Sequence, residues 1–140
     1  MNNSARYERG LAKFVEIYGD LAKTFLASIE DTAPDLGTYV MEFAFGDIHC
    51  RPGLSLPSRE IATIAALTAI GTAGPQLHAH IDGALNVGCT EREVVEVIMQ
   101  MALYAGFPAA LNGIQIARQV FQERSGKKMR KKKIKRRGEK

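Results

Sequence analysis

Residues 58–70 read SREIATIAALTAI, and beyond its first turn this segment carries no charge on any side. Its residues fit a helix from about Ser58 to Ile70. A helix that is apolar all round has to lie at the centre of a bundle or in a subunit interface. A chain of 140 residues with 46% hydrophobic content is long enough for one compact domain around such a helix, and too short for two.

The remaining periodic segments are helical as well. Leu11, Phe14, Val15, Tyr18, Leu21, Phe25 and Ile29 follow one stripe of a helix running from about Ala5 to Ser28. Pro34 suits the first turn of a second helix carrying Leu36, Val40 and Phe43. That helix leads into FGDIHCRPGLSLPS, where Gly46, Pro52, Gly53 and Pro57 predict a loop. Gly71 and Gly74 break the chain after the third helix, Pro75 opens a fourth, and Gly88 ends it. Thr90 and Glu93 have the spacing of a capping box, so a fifth helix runs from there to about Ala105, where AGFP interrupts it. Pro108 opens a sixth helix, ending near Arg124. No segment shows the alternation and turn chemistry of a strand pair. The expected fold is an all-α, single-domain bundle of about six helices over residues 1–126.

Charge separates the last residues from the rest. Residues 127–140, KKMRKKKIKRRGEK, hold ten Lys and Arg against one Glu, which leaves nine basic and fourteen acidic residues in positions 1–126. The alkaline isoelectric point therefore belongs to the tail, and the body is acidic. Like charges with little to bury predict a disordered tail, which either contacts RNA, DNA or an anionic membrane through counterion release or serves as a solubilising end. The start, MNNSARYERG, lacks the apolar run of a secretory signal and no later segment has the character of a membrane span, so the expected compartment is the cytoplasm. Cys50 and Cys89 stand far apart without a CxxC, which reads as two reduced structural thiols.

The segment QLHAHIDGAL, residues 76–85, places two histidines on different faces of the fourth helix. Leu77, His80, Ile81, Ala84 and Gly88 follow the inward pattern, so His80 points inward, either as a hydrogen-bonded core residue or as a catalyst. His78 and Asp82, four apart on another face, are expected to pair at the surface.

Three blocks, GDIHCRPGLSLPSREIATIAALTAIG, QLHAHIDGALNVGCTEREVVEVIMQMALYAGFPAALNG and the early YERG, resemble the carboxymuconolactone decarboxylases over nearly all of residues 7–123. The resemblance implies an alkylhydroperoxidase-like helical fold assembled into rings, commonly hexamers. It also implies a decarboxylation, without cofactor, of 4-carboxymuconolactone to 3-oxoadipate enol-lactone in aromatic degradation. The related alkylhydroperoxidases carry CxxC followed by xxxH around this helix. With His80 matched to that histidine, Ala73 and Gln76 stand at the cysteine positions, so a thiol peroxidase would have no nucleophile. Gln76 also stands where the decarboxylases are expected to carry Glu, which bears on the substrate rather than on the fold.

The implied chemistry selects candidates. Loss of CO2 from a carbon conjugated through an alkene to a lactone carbonyl leaves a dienolate, so the substrate provides its own electron sink. The protein has to hold carboxylates, stabilise charge on the lactone oxygen and deliver a proton to carbon. An imidazole suits proton delivery, which makes His80 the first choice for general acid, with Glu60 and Tyr104 as further catalytic candidates. Arg51 and Arg59, the only basic residues between Lys23 and Arg92, are candidates for binding carboxylates, and Gln76 and His49 are candidates for lining the pocket. Each has a structural alternative. Arg51 could pair with Asp47 across the turn, Arg59 and Glu60 could be ordinary first-turn residues, Tyr104 could be core, and His49 could be a solvated loop residue.

Overall fold

A computed structural model describes residues 4–138. Its elements are α1 (Ala5–Tyr18), α2 (Leu21–Ile29), α3 (Pro34–Tyr39), a π-helix (Val40–His49), α4 (Leu56–Ile70), α5 (Gly74–Asn86), α6 (Glu91–Gln100), α7 (Ala102–Ala105) and α8 (Phe107–Gly138). The fold is all-α, with eight α-helices and one π-helix among the described residues in place of about six helices. No helix among them is long and apolar enough to cross a membrane. The chain packs as two compact units: one is the chain up to Glu60 with Gly83–Cys89, the other Ile61–Asp82 with the chain from Thr90 onward.

In the first unit, the Ser4 hydroxyl caps α1 by accepting from the Tyr7 amide at 3.1 Å. The helix ends where Gly19 adopts φ +58°, a left-handed conformation that costs glycine little. The expected helix over 5–28 is therefore two helices, with Phe14, Ile17, Tyr18 and Ala22 buried and Val15 and Leu21 exposed.

The expected loop after Phe43 is also different, because the chain stays helical through His49 and is irregular only over 50–55. A π-helix bonds each residue to the fifth along, giving roughly 4.4 residues per turn. Met41, Phe45 and Gly46 then share the buried face, whereas an α-helical turn would place Gly46 about 140° away from Met41. Phe43 lies off that buried face and is exposed, as is Leu36 on α3.

The wider turn permits a close crossing with α1. A Cβ on Gly10 would overlap the Met41 carbonyl, and a Cβ on Gly46 would lie 2.7 Å from the Arg6 carbonyl oxygen. The two backbones touch with no side chain between them. Beside the crossing, Arg6 donates to both Asp47 oxygens at 2.6 and 3.2 Å, and Arg9 donates to Asp47 at 3.3 Å and to the Gly46 carbonyl at 2.9 Å. The hydrogen bond from Arg6 holds the Asp47 carboxyl below its ordinary value. Asp47 is thus engaged with α1, and the alternative in which it pairs with Arg51 does not occur. Phe14 anchors the aromatic core, with ring centroids 4.8 Å from Tyr18, 4.7 Å from Phe45 and 5.7 Å from Phe25.

In the second unit, both halves of the expected capping box are formed: Thr90 Oγ1 accepts from the Glu93 amide at 3.1 Å, and the Glu93 carboxylate accepts from the Thr90 amide at 2.7 Å. Val94 and Ile98 of α6 are buried, as are Ala110, Ala117 and Val120 of α8. Gly113 of α8 lets Ile98 approach, since a Cβ there would lie 2.8 Å from Ile98 Cγ2. On α4, Ile64 and Thr68 are buried, but Ala62, Ala66, Ala69 and Ile70 are exposed, so α4 is not enclosed on every side within the chain. The expected stop near Arg124 is absent, and α8 continues to Gly138. Lys and Arg are good helix formers and no proline intervenes, so the tail expected to be disordered is helical as far as it is described. Residues 139 and 140 lie outside the described residues.

Two glycine substitutions test the crossing. Helix propensity alone would make Gly→Ala favourable by up to about 1 kcal/mol in either helix. Gly126→Ala, with open space around it, should show that gain in urea denaturation. Gly10→Ala should instead lose more than about 2 kcal/mol or fail to fold, because the obstacle is backbone and cannot rotate away. A neutral Gly10→Ala would contradict the close crossing.

Candidate active site

Glu60 lies one turn into α4 and is 0% exposed. The alternative in which it is an ordinary first-turn residue at the surface does not hold. Transferring a carboxylate out of water is costly unless polar partners replace the solvent, and two are present. The Tyr18 hydroxyl donates to Glu60 Oε1 at 3.1 Å. Burial, followed by the Glu60 charge and this hydrogen bond, pushes the Tyr18 phenol far above its ordinary value, so it stays a donor. His49 Nε2 stands 3.9 Å from the same Glu60 oxygen.

The π-helix aims that imidazole. His49 Nδ1 is 2.9 Å from the Ala44 carbonyl, five residues back, and its ring stacks on Phe45 with centroids 4.6 Å apart. A carbonyl only accepts, so Nδ1 carries a proton and Nε2 is the atom turned towards the carboxylate. His49 is therefore a half-buried residue of a helix rather than the solvated loop histidine of the sequence reading. An imidazole nitrogen facing a carboxylate oxygen brings together two group types that acid–base chemistry uses.

Tyr18 is fixed from behind by α5. A Cβ on Gly83 would lie 2.8 Å from Tyr18 Cδ1 and closer still to Cε1, so only glycine leaves room for the ring. Asn86 Nδ2 donates to the Ile17 carbonyl at 2.9 Å and ties α5 to α1 there. Tyr18 and Gly83 are the site residues that sequence reasoning missed. Tyr18 reads as one more member of an apolar stripe, although a buried phenol needs an acceptor. Gly83 is a glycine inside a helix, a placement that costs stability unless something needs the space.

Near the start of α4, Arg59 Nη2 donates to the Arg51 carbonyl at 2.8 Å and fastens the 50–55 loop onto the helix. The Arg51 side chain is exposed. Cys89 is buried with its sulfur 3.7 Å from the Pro57 carbonyl, and neither cysteine forms a disulfide.

The other candidates belong to the second unit. On α5, Leu77 and Ile81 are buried and His80 is half-buried, while Gln76 is exposed. The expected His78–Asp82 pair does not form. The extended α8 supplies both with better partners: His78 Nε2 lies 3.1 Å from Glu123 Oε2, and Arg124 Nη1 donates to Asp82 Oδ1 at 2.5 Å. Tyr104 on α7 is 77% exposed, which removes the alternative that it is core. The structure thus brings Glu60 and His49 together around Tyr18, and joins Arg59 to Arg51, within the first unit.

Comparison with known proteins adds the family. The Carboxymuconolactone decarboxylase family matches residues 34–119, which include the π-helix, α4, α5 and α6. A 4-carboxymuconolactone decarboxylase of Acinetobacter baylyi is 34% identical over 124 residues, covering 88% of this chain and 92% of that protein. An uncharacterised 15.0 kDa protein of Paracoccus denitrificans is 35% identical, over 70% of this chain and 74% of its own. A nitrosuccinic acid decarboxylase of Metarhizium robertsii is 31% identical, over 60% of this chain and 58% of its own. With a family match over residues 34–119 and a relative 34% identical over 88% of its length, the chain belongs to the carboxymuconolactone decarboxylase family.

Proposed function

We propose that the protein is a cofactor-independent decarboxylase of 4-carboxymuconolactone or a similar carboxylated lactone, working in the breakdown of aromatic compounds. The observation that carries this reading is the fully buried Glu60 carboxylate with the Tyr18 hydroxyl at 3.1 Å and the His49 imidazole at 3.9 Å. Two relatives named as decarboxylases of small acids support it. Gln76, where Glu is expected of the decarboxylases, favours a second reading in which a different unsaturated lactone or small carboxylic acid is the substrate.

The reaction sets distinct tasks. Departure of CO2 leaves an electron pair that the conjugated lactone spreads towards its carbonyl oxygen, and a proton has to reach carbon afterwards. His80, which matches the histidine of the family pattern, is the proposed general acid. Glu60, with His49 and Tyr18 around it, is the further proposed catalytic group, buried away from water. Arg51 and Arg59 are the proposed carboxylate binders, with Arg51 in an exposed position. Gln76 and Tyr104, both exposed in the single chain, belong to this proposal only as substrate contacts. The exposed apolar residues Leu103, Tyr104, Phe107 and Leu111, and the exposed alanines of α4, support a homo-oligomer, as in a ring or hexamer.

Turnover of the lactone by purified variants tests the assignment. His80→Gln and Glu60→Gln should each lower kcat by about 10²- to 10⁴-fold while circular dichroism shows an intact fold, and His78→Gln should cost little. If His80→Gln retains near-parental turnover, the donor is not His80 and His49 becomes the imidazole to test. A protein that leaves every such lactone unchanged would sink the decarboxylase reading.

Arg51→Ala should raise KM with kcat nearly unchanged, the pattern of lost ground-state binding. Equal losses in kcat and kcat/KM would move Arg51 from binding to the transition state.

Tyr18 gives a pH test. Its folded pKa is raised above the unfolded value of about 10, so its contribution to stability is complete below about pH 10 and fades at higher pH, where the unfolded chain sheds the proton first. Tyr18→Phe should cost about 1–3 kcal/mol at pH 8, because Glu60 loses a donor. In urea denaturation the gap between parent and variant should narrow as pH rises beyond about 10. A gap that widens instead would contradict the Tyr18–Glu60 bond.

A further inference from the structure

We infer that residues 127–138 of α8 form a binding element for duplex DNA, recognising the phosphate backbone without reading sequence. The described side chains Lys127, Lys128, Arg130, Lys131, Lys132 and Lys135 are all exposed, and none of them is in an ion pair among the described residues. The nearest carboxylate on the same helix, Glu123, is already engaged by His78 and by Gln119. At about 100° per residue these cations spread over an arc of roughly 200°, so that Arg130 and Lys132 stand on nearly opposite flanks of the helix. Like charges at such spacing destabilise a helix, and a polyanion that neutralises them relieves the repulsion.

The distribution also distinguishes among polyanions. A membrane surface favours a helix with a strongly apolar face. The apolar residues here are Met129 and Ile134, both exposed and about 140° apart around the helix, so they form no stripe. A helix of about 10–12 Å diameter fits the major groove of B-form DNA, about 12 Å wide, where two phosphate walls face it from opposite sides. The deep, narrow major groove of A-form RNA does not admit it. The stretch 127–135 has no Asn or Gln to read adenine, and five of its six described cations are lysines, whose point charges suit phosphate oxygens.

The test is fluorescence anisotropy of a labelled, mixed-sequence DNA duplex titrated with the full chain across a series of salt concentrations. Expected is binding at low salt whose log K falls linearly with log salt, with a slope of about −5 or steeper, as for six or more neutralised phosphates. Deleting residues 127–140 should weaken binding by at least about 100-fold at low salt. So should the combined variant Lys127→Gln, Lys128→Gln, Arg130→Gln, Lys131→Gln, Lys132→Gln and Lys135→Gln, which keeps the helix in place. No binding at low salt, a shallow slope, or binding that survives the deletion would overturn the proposal. Equal or tighter binding to an RNA duplex, or to phosphatidylserine vesicles, would overturn its assignment to DNA.

Discussion

The contact between α1 and the π-helix, where Gly10 meets the Met41 carbonyl and Gly46 meets the Arg6 carbonyl, governs the geometry of the first unit. Two backbones that touch allow no adjustment by side-chain rotation, so the axes are fixed at that point. Phe14 and Phe45 then lie one against the other, Tyr18 falls beside Phe45, and its hydroxyl arrives at Glu60. The Arg6 and Arg9 contacts with Asp47 sit at the rim of the same crossing and are exposed, so they add orientation more than stability. Packing of small residues thus comes first, and the polar arrangement at Glu60 follows from it.

Where the sequence carried strong local signals, the structure follows them. The capping box at Thr90, the breaks at Gly71 and Gly88, and the absence of strand alternation led directly to an all-α chain. Burial of Leu77, Ile81 and Ala84 follows the inward stripe read for the fourth helix. The π-helix was not legible, because glycine and an approaching proline predict a loop, and the periodicity that would mark a wider turn spans too few residues to stand out. The extended α8 had the opposite problem. Charge repulsion and helix propensity compete over residues 127–138, and composition alone gives the first more weight than the structure does.

The same contrast applies to the site. His49 and Glu60 are eleven positions apart, on either side of an irregular stretch, and only the folded chain shows that they share an oxygen contact. Read in a helix that starts at Ser58, Glu60 is a first-turn acid, where proximity to the helix dipole is reason enough for its presence; α4 starts at Leu56 and places it a turn further in. Its complete burial beneath Tyr18 is a different placement, one that depends on Gly83 of the next helix leaving space for the Tyr18 ring. Partners offered by α8 likewise decided the fate of His78 and Asp82, since a local pair at the surface is easily displaced by charges presented on a neighbouring helix.

The π-helix carries a consequence of its own. Which residues of 40–49 face α1, and where the His49 ring points, depend on the width of the turn as much as on the residues themselves. Shortening this segment by one residue would let it relax to an α-helix, rotating Gly46 away from the crossing and His49 out of its place opposite Glu60, with every candidate site residue still encoded. The imidazole–carboxylate pair is in that sense specified by a length. Two chains of this fold could agree at each named residue and still differ in their chemistry by a single inserted or missing position.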